Sequence, residues 1–292
     1  MSEAKRWTVL ELLDWTKAYF AEKGIDSPRL DAEVLLAHAL SVERMGLYLD
    51  FDKPVAAPER AAFRALVKRR AEERIPVAYL VGEKEFWSLA LAVSPDVLVP
   101  RPDTEVLVEA ILARCPDTEA ELRILDLGTG SGAIALALAS ERPKAHVVAT
   151  DRSEAALGVA RANAQRHGLA GRVRFVAGDA FEPVAGERFD VVASNPPYVA
   201  RQDAPQLAPE LAHEPREALF ADADGTALLR TIAAEAAGVL VPGGWLGVEL
   251  APAQGQRMTE WLERGGFESV EAHRDLGGRV RALTARLEPE ED

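Results

Sequence analysis

Leu125-Asp126-Leu127-Gly128-Thr129-Gly130-Ser131-Gly132 is the stretch that decides the fold. An apolar run, Arg123 to Leu127, meets a cluster of glycines, and a second apolar run, Ala133 to Ser140, follows. That order reads as strand, tight turn and helix. Glycines at such a junction let the backbone approach a ligand closely, at the carboxyl edge where doubly wound sheets bind nucleotides. Downstream the same alternation continues. Strands are predicted at 146–150, 173–176, 189–193 and 245–250, and helices at 153–167, within 225–240 and at 253–264. Two more strands, 267–273 and 280–287, close the chain. The fold class is therefore α/β: a doubly wound, seven-stranded, mostly parallel sheet with helices on both faces.

Upstream the pattern is helical. Thr8 with Glu11 forms a capping-box pattern before an apolar run, and Gly24 supplies a stop. Ser27 and Pro28 open a second helix, in which Leu30, Val34, Leu35 and His38 share one face. His38 is expected to pack in the core. A further helix runs from Pro58 through Lys68. These segments predict a small all-α helical domain over residues 1–78. Short aromatic and β-branched runs between Tyr79 and Pro100 predict a β-hairpin linker, 79–100, and the α/β domain occupies 101–292.

Composition excludes several classes. Of the 292 residues, 48% are hydrophobic, enough for a sizeable core, yet no apolar stretch approaches the roughly 18 residues of a membrane span. The amino terminus has neither an apolar leader core nor a cleavage site, so a cytoplasmic protein is expected. One cysteine, Cys115, and five histidines without ligand spacing predict no metal. Residues 1–84 carry 14 basic and 14 acidic side chains, so the whole net charge of −13 falls in residues 85–292. A surface of that sign is a poor partner for phosphate backbones, and no stable nucleic-acid binding is expected. A monomer is the default expectation.

Three motifs carry chemistry. Gly128-x-Gly130-x-x-Ala133 also satisfies a dinucleotide fingerprint, but no Lys or Arg lies between residues 124 and 141 to meet a pyrophosphate. Asp126 beside Gly128, Thr129, Gly130, Ser131 and Gly132 better suits a cationic ligand such as S-adenosylmethionine, which carries a sulfonium, an ammonium and one carboxylate. Asp151 ends the second strand, where a carboxylate accepts ribose hydroxyls or caps the next helix. Asp179 follows the third strand, where a methyltransferase places the acid that receives the adenine amino group. Ser194-Asn195-Pro196-Pro197-Tyr198 follows the fourth strand. The two prolines stiffen the loop and remove donors, so the Asn195 side-chain oxygen and the Pro196 carbonyl can accept both hydrogens of a planar NH2 group. That grip orients the nitrogen and stabilises the charge it gains in attacking a methyl carbon. Tyr198 can stack on the flat target. A hydride-transfer site is not visible, and Ser131 lacks the frame of a hydrolase nucleophile.

LDLGTGSGAIALALA, Asp151, Asp179 and SNPPY together resemble the release-factor glutamine methyltransferases, the PrmC/HemK family. VLVPRPDTE at 97–105, HEPREAL at 213–219 and RDLGGRVR near the end extend the resemblance over essentially the whole chain. It implies a Rossmann-like methyltransferase with S-adenosylmethionine as cofactor and S-adenosylhomocysteine as product. The substrate it implies is the side-chain amide of the glutamine in the GGQ motif of peptide-chain release factors, with the helical domain docking that protein. It assigns Asp126, Gly128 to Gly132, Asp151, Asp179, Ala180 and Asn195 to the methyl donor, and Asn195, Pro196, Pro197 and Tyr198 to the glutamine amide. Where some relatives carry an aromatic, this chain has Ala180, and Phe181 or backbone takes that place. Arg101 to Glu105 either folds over the donor or caps the helix after Thr104, and the Glu249-Leu250-Ala251 turn has no assigned role. The NPPY motif would equally serve a nucleic-acid adenine-amino methyltransferase, the alternative activity.

Overall fold

The computed structural model describes residues 6–222 and 224–289. Residues 1–5, part of the amino-terminal stretch read for a leader, and 290–292, the end of the expected α/β domain, lie outside them. The chain divides into two compact units: one runs up to Gly82 and takes in Ala208–His213, and the other comprises Glu83–Leu207 and the chain from Glu214 onward.

The first unit holds α1 (Val9–Glu22), α2 (Pro28–Leu40), α3 (Arg44–Leu49), α4 (Ala57–Glu72) and α5 (Val77–Val81). The capping box is formed: Thr8 Oγ1 accepts from Glu11 N at 3.3 Å, and Glu11 Oε2 accepts from Thr8 N at 3.0 Å. Helix α2 touches all four other helices of the unit. Its buried side is therefore wider than the predicted stripe and includes Asp31, Glu33, Leu35 and Leu36, while His38 is exposed rather than packed. Burial of the two acids is compensated. Arg70 Nε donates to Asp31 Oδ2 at 2.7 Å, and Arg29 Nε and the Tyr48 hydroxyl both donate to Glu33 Oε1.

The second unit begins with a hairpin, β1 (Glu83–Phe86) and β2 (Leu89–Ala92), whose Phe86 and Leu91 are buried in the core of this unit. Next come α6 (Glu105–Arg114), β3 (Arg123–Leu127), α7 (Ala133–Glu141), β4 (His146–Asp151), α8 (Glu154–Arg166), β5 (Val173–Ala177) and β6 (Phe189–Ser194). The remainder is α9 (Arg216–Leu219), α10 (Ala227–Glu235), β7 (Leu240–Glu249), α11 (Gly255–Arg264), β8 (Phe267–Arg274) and β9 (Val280–Leu287). The seven-stranded sheet has the order β5-β4-β3-β6-β7-β9-β8. Strands β3 to β7 run parallel, and β9 pairs antiparallel with both β7 and β8.

The strands read as continuous apolar runs because both sheet faces are covered. Successive residues alternate between two cores. Ile124, Val147 and Val191 face one, with Leu107, Ile111 and Leu136 from α6 and α7. Leu125, Val148 and Val192 face the other, with Ile232, Met258 and Leu262 from α10 and α11. Strand order reverses between β3 and β6, which places a crevice at their carboxyl ends.

Candidate functional site

Register brings the key loops to one level. Leu127 sits opposite Thr150 on β4 and Ser194 on β6, so the chain leaves all three strands side by side. Ser194 Oγ donates to Leu127 O at 2.8 Å and ties two of the exits together. A cavity of about 910 Å3 opens at this edge. Its wall includes Gly128, Thr129, Gly130, Ser131, Asp151, Asp179, Ala180, Asn195 and Pro197. Among the expected site residues, Asp126, Gly132, Pro196 and Tyr198 are not part of that wall.

Asp126 lies beneath the glycine loop and is fully buried. Its Oδ2 accepts from Thr129 Oγ1 at 2.6 Å and from Ala135 N at 3.0 Å, which pins the loop to the first turn of α7. Burial pushes its carboxyl up to about 7, opposed by those two hydrogen bonds. Its Oδ1 is buried without a partner. The sequence position beside the glycines did not reveal this inward direction, because consecutive strand side chains point to opposite faces. Gly132 has φ +86°, and a Cβ there would come within 3.3 Å of Ala160 Cβ and Leu136 Cδ1. Its place is in the packing of α7 against α8.

Asp151 is at the wall. Its Oδ2 accepts from Gly130 N and its Oδ1 from Ser153 N, both at 2.9 Å. The N-cap of α8 is Ser153, whose Oγ accepts from Ala156 N, so Asp151 is not the cap. Asp179 and Ala180 flank the same cavity, and Ala180 has φ +43°. Phe181 is 5% exposed and belongs to the second core cluster, so its ring does not stand in for an aromatic at Ala180.

Around Asn195 the three motifs that extend the resemblance converge. Asn195 Nδ2 donates to Thr104 Oγ1 at 3.1 Å, and its Oδ1 accepts no hydrogen bond among the described residues. Thr104 holds the N-cap position of α6 but makes no side-chain cap bond; its hydroxyl serves Asn195 instead. The Tyr198 hydroxyl donates to Glu249 Oε1 at 3.0 Å, and its ring packs with the second core cluster. Burial pushes the Glu249 carboxyl up, while the Thr104 and Tyr198 hydroxyls and Arg281 favour its charged form. Burial foremost, then Glu249, raises the Tyr198 phenol.

Arg281 Nη2 pairs with Asp103 Oδ2 at 2.9 Å, and Arg281 Nε with Asp275 Oδ2 at 2.9 Å. Arg101 pairs with the buried Glu214, which also accepts from Val99 N at 3.1 Å. Thus PRPDTE is held by HEPREAL on one side and RDLGGRVR on the other. Gln254 and Gly225 escaped the sequence reading. Gln254 Nε2 donates to both Tyr198 O and Gly225 O at 3.0 Å, and a Cβ on Gly225 would lie 2.4 Å from Tyr198 O. Only the close approach of two distant loops gives these residues meaning. Glu249 and Thr104 were visible in the sequence as a role left open and as a cap candidate.

Comparison with known proteins gives a consistent result. A family model described as the PrmC N-terminal domain matches residues 11–82, and one described as a methyltransferase small domain matches residues 102–229. The release factor glutamine methyltransferase of Geobacter sulfurreducens (strain ATCC 51573 / DSM 12127 / PCA) is 45% identical over 282 residues, 96% of this chain and 97% of that one. The release factor glutamine methyltransferase of Xylella fastidiosa (strain 9a5c) is 48% identical over 258 residues, 88% of this chain and 93% of that one. Among solved structures, the hMettl16 catalytic domain in complex with MAT2A 3'UTR hairpin 6 aligns with a TM-score of 0.57 at 15% identity, over 81% of this chain and 83% of that chain. The last is a likeness of fold.

Proposed function

Since this chain belongs to the release factor glutamine methyltransferase family, we propose that it methylates the side-chain amide nitrogen of the GGQ glutamine in peptide-chain release factors, with S-adenosylmethionine as donor. The observation that carries the reading is the Asn195 amide at the cavity wall, with its nitrogen engaged by Thr104 and its oxygen left to accept.

The residues present fit the donor. An added Cβ at Gly128 or Gly130 would meet nothing within 4 Å, so the loop backbone is open along the cavity. Asp151 and Asp179 offer acceptors for ribose hydroxyls and for the adenine amine; the glycine-loop residues of the wall, Gly128 to Ser131, include no cation, and the arginines of the lining, Arg101, Arg152, Arg201 and Arg216, come from other segments. When bound, S-adenosylmethionine supplies an electrophilic methyl group on a sulfonium. Asn195 Oδ1 and the Pro196 carbonyl accept the two hydrogens of the glutamine NH2 and hold its nitrogen toward that methyl. As the nitrogen gains positive charge, acceptors held in place by the stiff loop stabilise it. The proton then leaves to water, and no acid–base pair is required. Tyr198 acts from the flank of the loop, with its hydroxyl anchored on Glu249. The helical unit, which the PrmC N-terminal model matches over residues 11–82, docks the release factor. The enzyme works as a cytoplasmic monomer without stable nucleic-acid binding, in keeping with a charge of −13.

The test is transfer of label from S-adenosylmethionine to a purified release factor, to the same factor with its GGQ glutamine replaced, and to unmethylated DNA. Label on the intact factor alone, reduced at least about a hundredfold by Asn195→Ala, is the expected outcome. Label on DNA and none on the factor would replace this reading with the adenine-amino activity.

A further inference from the structure

Asn195 poses a problem that the loop alone does not solve. A side-chain amide presents a donor at one end and an acceptor at the other, and turning it by half a revolution exchanges them. Only one orientation can receive the hydrogens of a target NH2 group; the other meets donor with donor. The prolines of the loop stiffen the backbone but leave this torsion free.

Behind Asn195 stands a short buried relay. Thr104, 4% exposed, accepts from Asn195 Nδ2 at 3.1 Å through its Oγ1. Having accepted there, its own proton is available. Glu249, 1% exposed, lies beside it; the Tyr198 hydroxyl occupies Oε1 at 3.0 Å, and Oε2 has no hydrogen-bond partner. A buried carboxylate oxygen without a donor is costly, and the nearby Thr104 hydroxyl favours its charged form. An ionised carboxylate can only accept. A Thr104 hydroxyl turned toward that oxygen would leave Thr104 Oγ1 as acceptor and commit the amide nitrogen of Asn195 to it.

We propose that Thr104 and Glu249 are positioning residues that fix the Asn195 amide with its oxygen toward the substrate, through the relay Asn195 to Thr104 to Glu249. This rests on the reading of Asn195 as the acceptor for the target amide. Protonation of Glu249 reverses the relay, because a carboxylic acid can donate to Thr104 and send the hydroxyl proton to Asn195 Oδ1. The charged and titratable groups facing Glu249 are Tyr198 from the NPPY loop, Asp103 from the segment before α6, and Arg281 from β9. Burial raises the Glu249 carboxyl, so activity is lost on the acid side, above the usual carboxylate range.

Kinetics and a spectroscopic readout test the relay on the full-length protein. Thr104→Val keeps the shape and removes the hydroxyl; it should lower kcat about tenfold, with affinity for S-adenosylmethionine unchanged. Thr104→Ser should recover most of that loss, and Glu249→Gln should lower kcat and flatten the acid limb of its pH profile. Wild-type kcat in Thr104→Val, or an equal loss in Thr104→Ser, would overturn the proposal. The side-chain amide of Asn195, identified in nitrogen-15 spectra by its loss in Asn195→Ala, gives a measurement independent of substrate. One of its hydrogens should be protected from solvent exchange in the wild type and unprotected in Thr104→Val. Equal protection in both would sink the relay. If the wild type transfers no methyl to release factors, the proposed substrate fails while the exchange measurement still decides the relay.

Discussion

Asp126 illustrates how one residue can serve the loop rather than the ligand. Its carboxyl is fully buried, pushed from 3.8 to about 7 by that burial, and fastened to Thr129 and Ala135. A group whose pKa is higher in the folded state takes up a proton more readily when folded. Between about pH 4 and about pH 7 the native chain holds more of that proton than the unfolded chain, so stability falls as pH rises through this window. Asp126→Asn should flatten that part of the profile, measured as urea unfolding midpoints of the α/β unit from pH 4 to pH 8. An unchanged slope would mean that Asp126 does not titrate there. Asn195 differs in kind: it is half-exposed at the cavity wall, and its chemistry depends on which end of its amide the protein holds.

At the scale of elements, the hairpin β1–β2 is bound to the site through one side chain. Asn163 on α8 is fully buried; its Oδ1 accepts from Ala92 N at 2.7 Å, and its Nδ2 donates to Ala92 O and Ser131 O. It joins the hairpin, α8 and the glycine loop. The sequence placed a hairpin here and read it as a linker, because short strands between two domains carry no mark of what they pack against. Asn163→Leu keeps the volume near and removes the side-chain partner of the Ala92 N–H, the Ala92 carbonyl and the buried Ser131 carbonyl. It should cost about 3 kcal/mol in urea unfolding and weaken donor binding through the loop. Full stability would show that the hairpin is held by its other contacts, the buried Phe86 and Leu91 and the bonds of Trp87 to Glu105 and Glu141.

Over the whole molecule, two units are stabilised by different means. The α/β unit buries two apolar layers on a sheet. The helical unit has a smaller core and a buried ionic cluster, in which Arg70 meets Asp31 and Glu210 at 2.7 Å, and Arg74 meets Glu210 at 2.8 Å. Glu210 arrives from the segment Ala208–His213, far along the chain. Arg70→Ala should cost the helical unit about 3–5 kcal/mol, because Asp31 would stay buried without its partner. Burial already raises the Asp31 carboxyl, so the cost should be smaller at pH 4, where protonation relieves it, than at pH 7. Calorimetry at the two pH values checks this; equal losses would show that Asp31 reaches solvent once Arg70 is gone.

The sequence by itself determined the element order, the parallel sheet and the loops that carry chemistry. Those features depend on local causes: apolar runs covered on both faces, glycines at strand exits and prolines that stiffen NPPY. It also placed Gly128, Asp151, Asp179 and Asn195 at one edge, since parallel strands joined by helices present their carboxyl ends together. Only the tertiary structure decided which way the side chains face. Asp126 turns inward, Tyr198 reaches Glu249, Phe181 enters the core, and His38 stays outside while Asp31 is buried. For Asp31 and Tyr198 the direction depends on a partner distant in sequence, Arg70 and Glu249. Periodicity records that a face is buried, but the hydrogen bond that lets a polar group be buried is made only when the chain has folded.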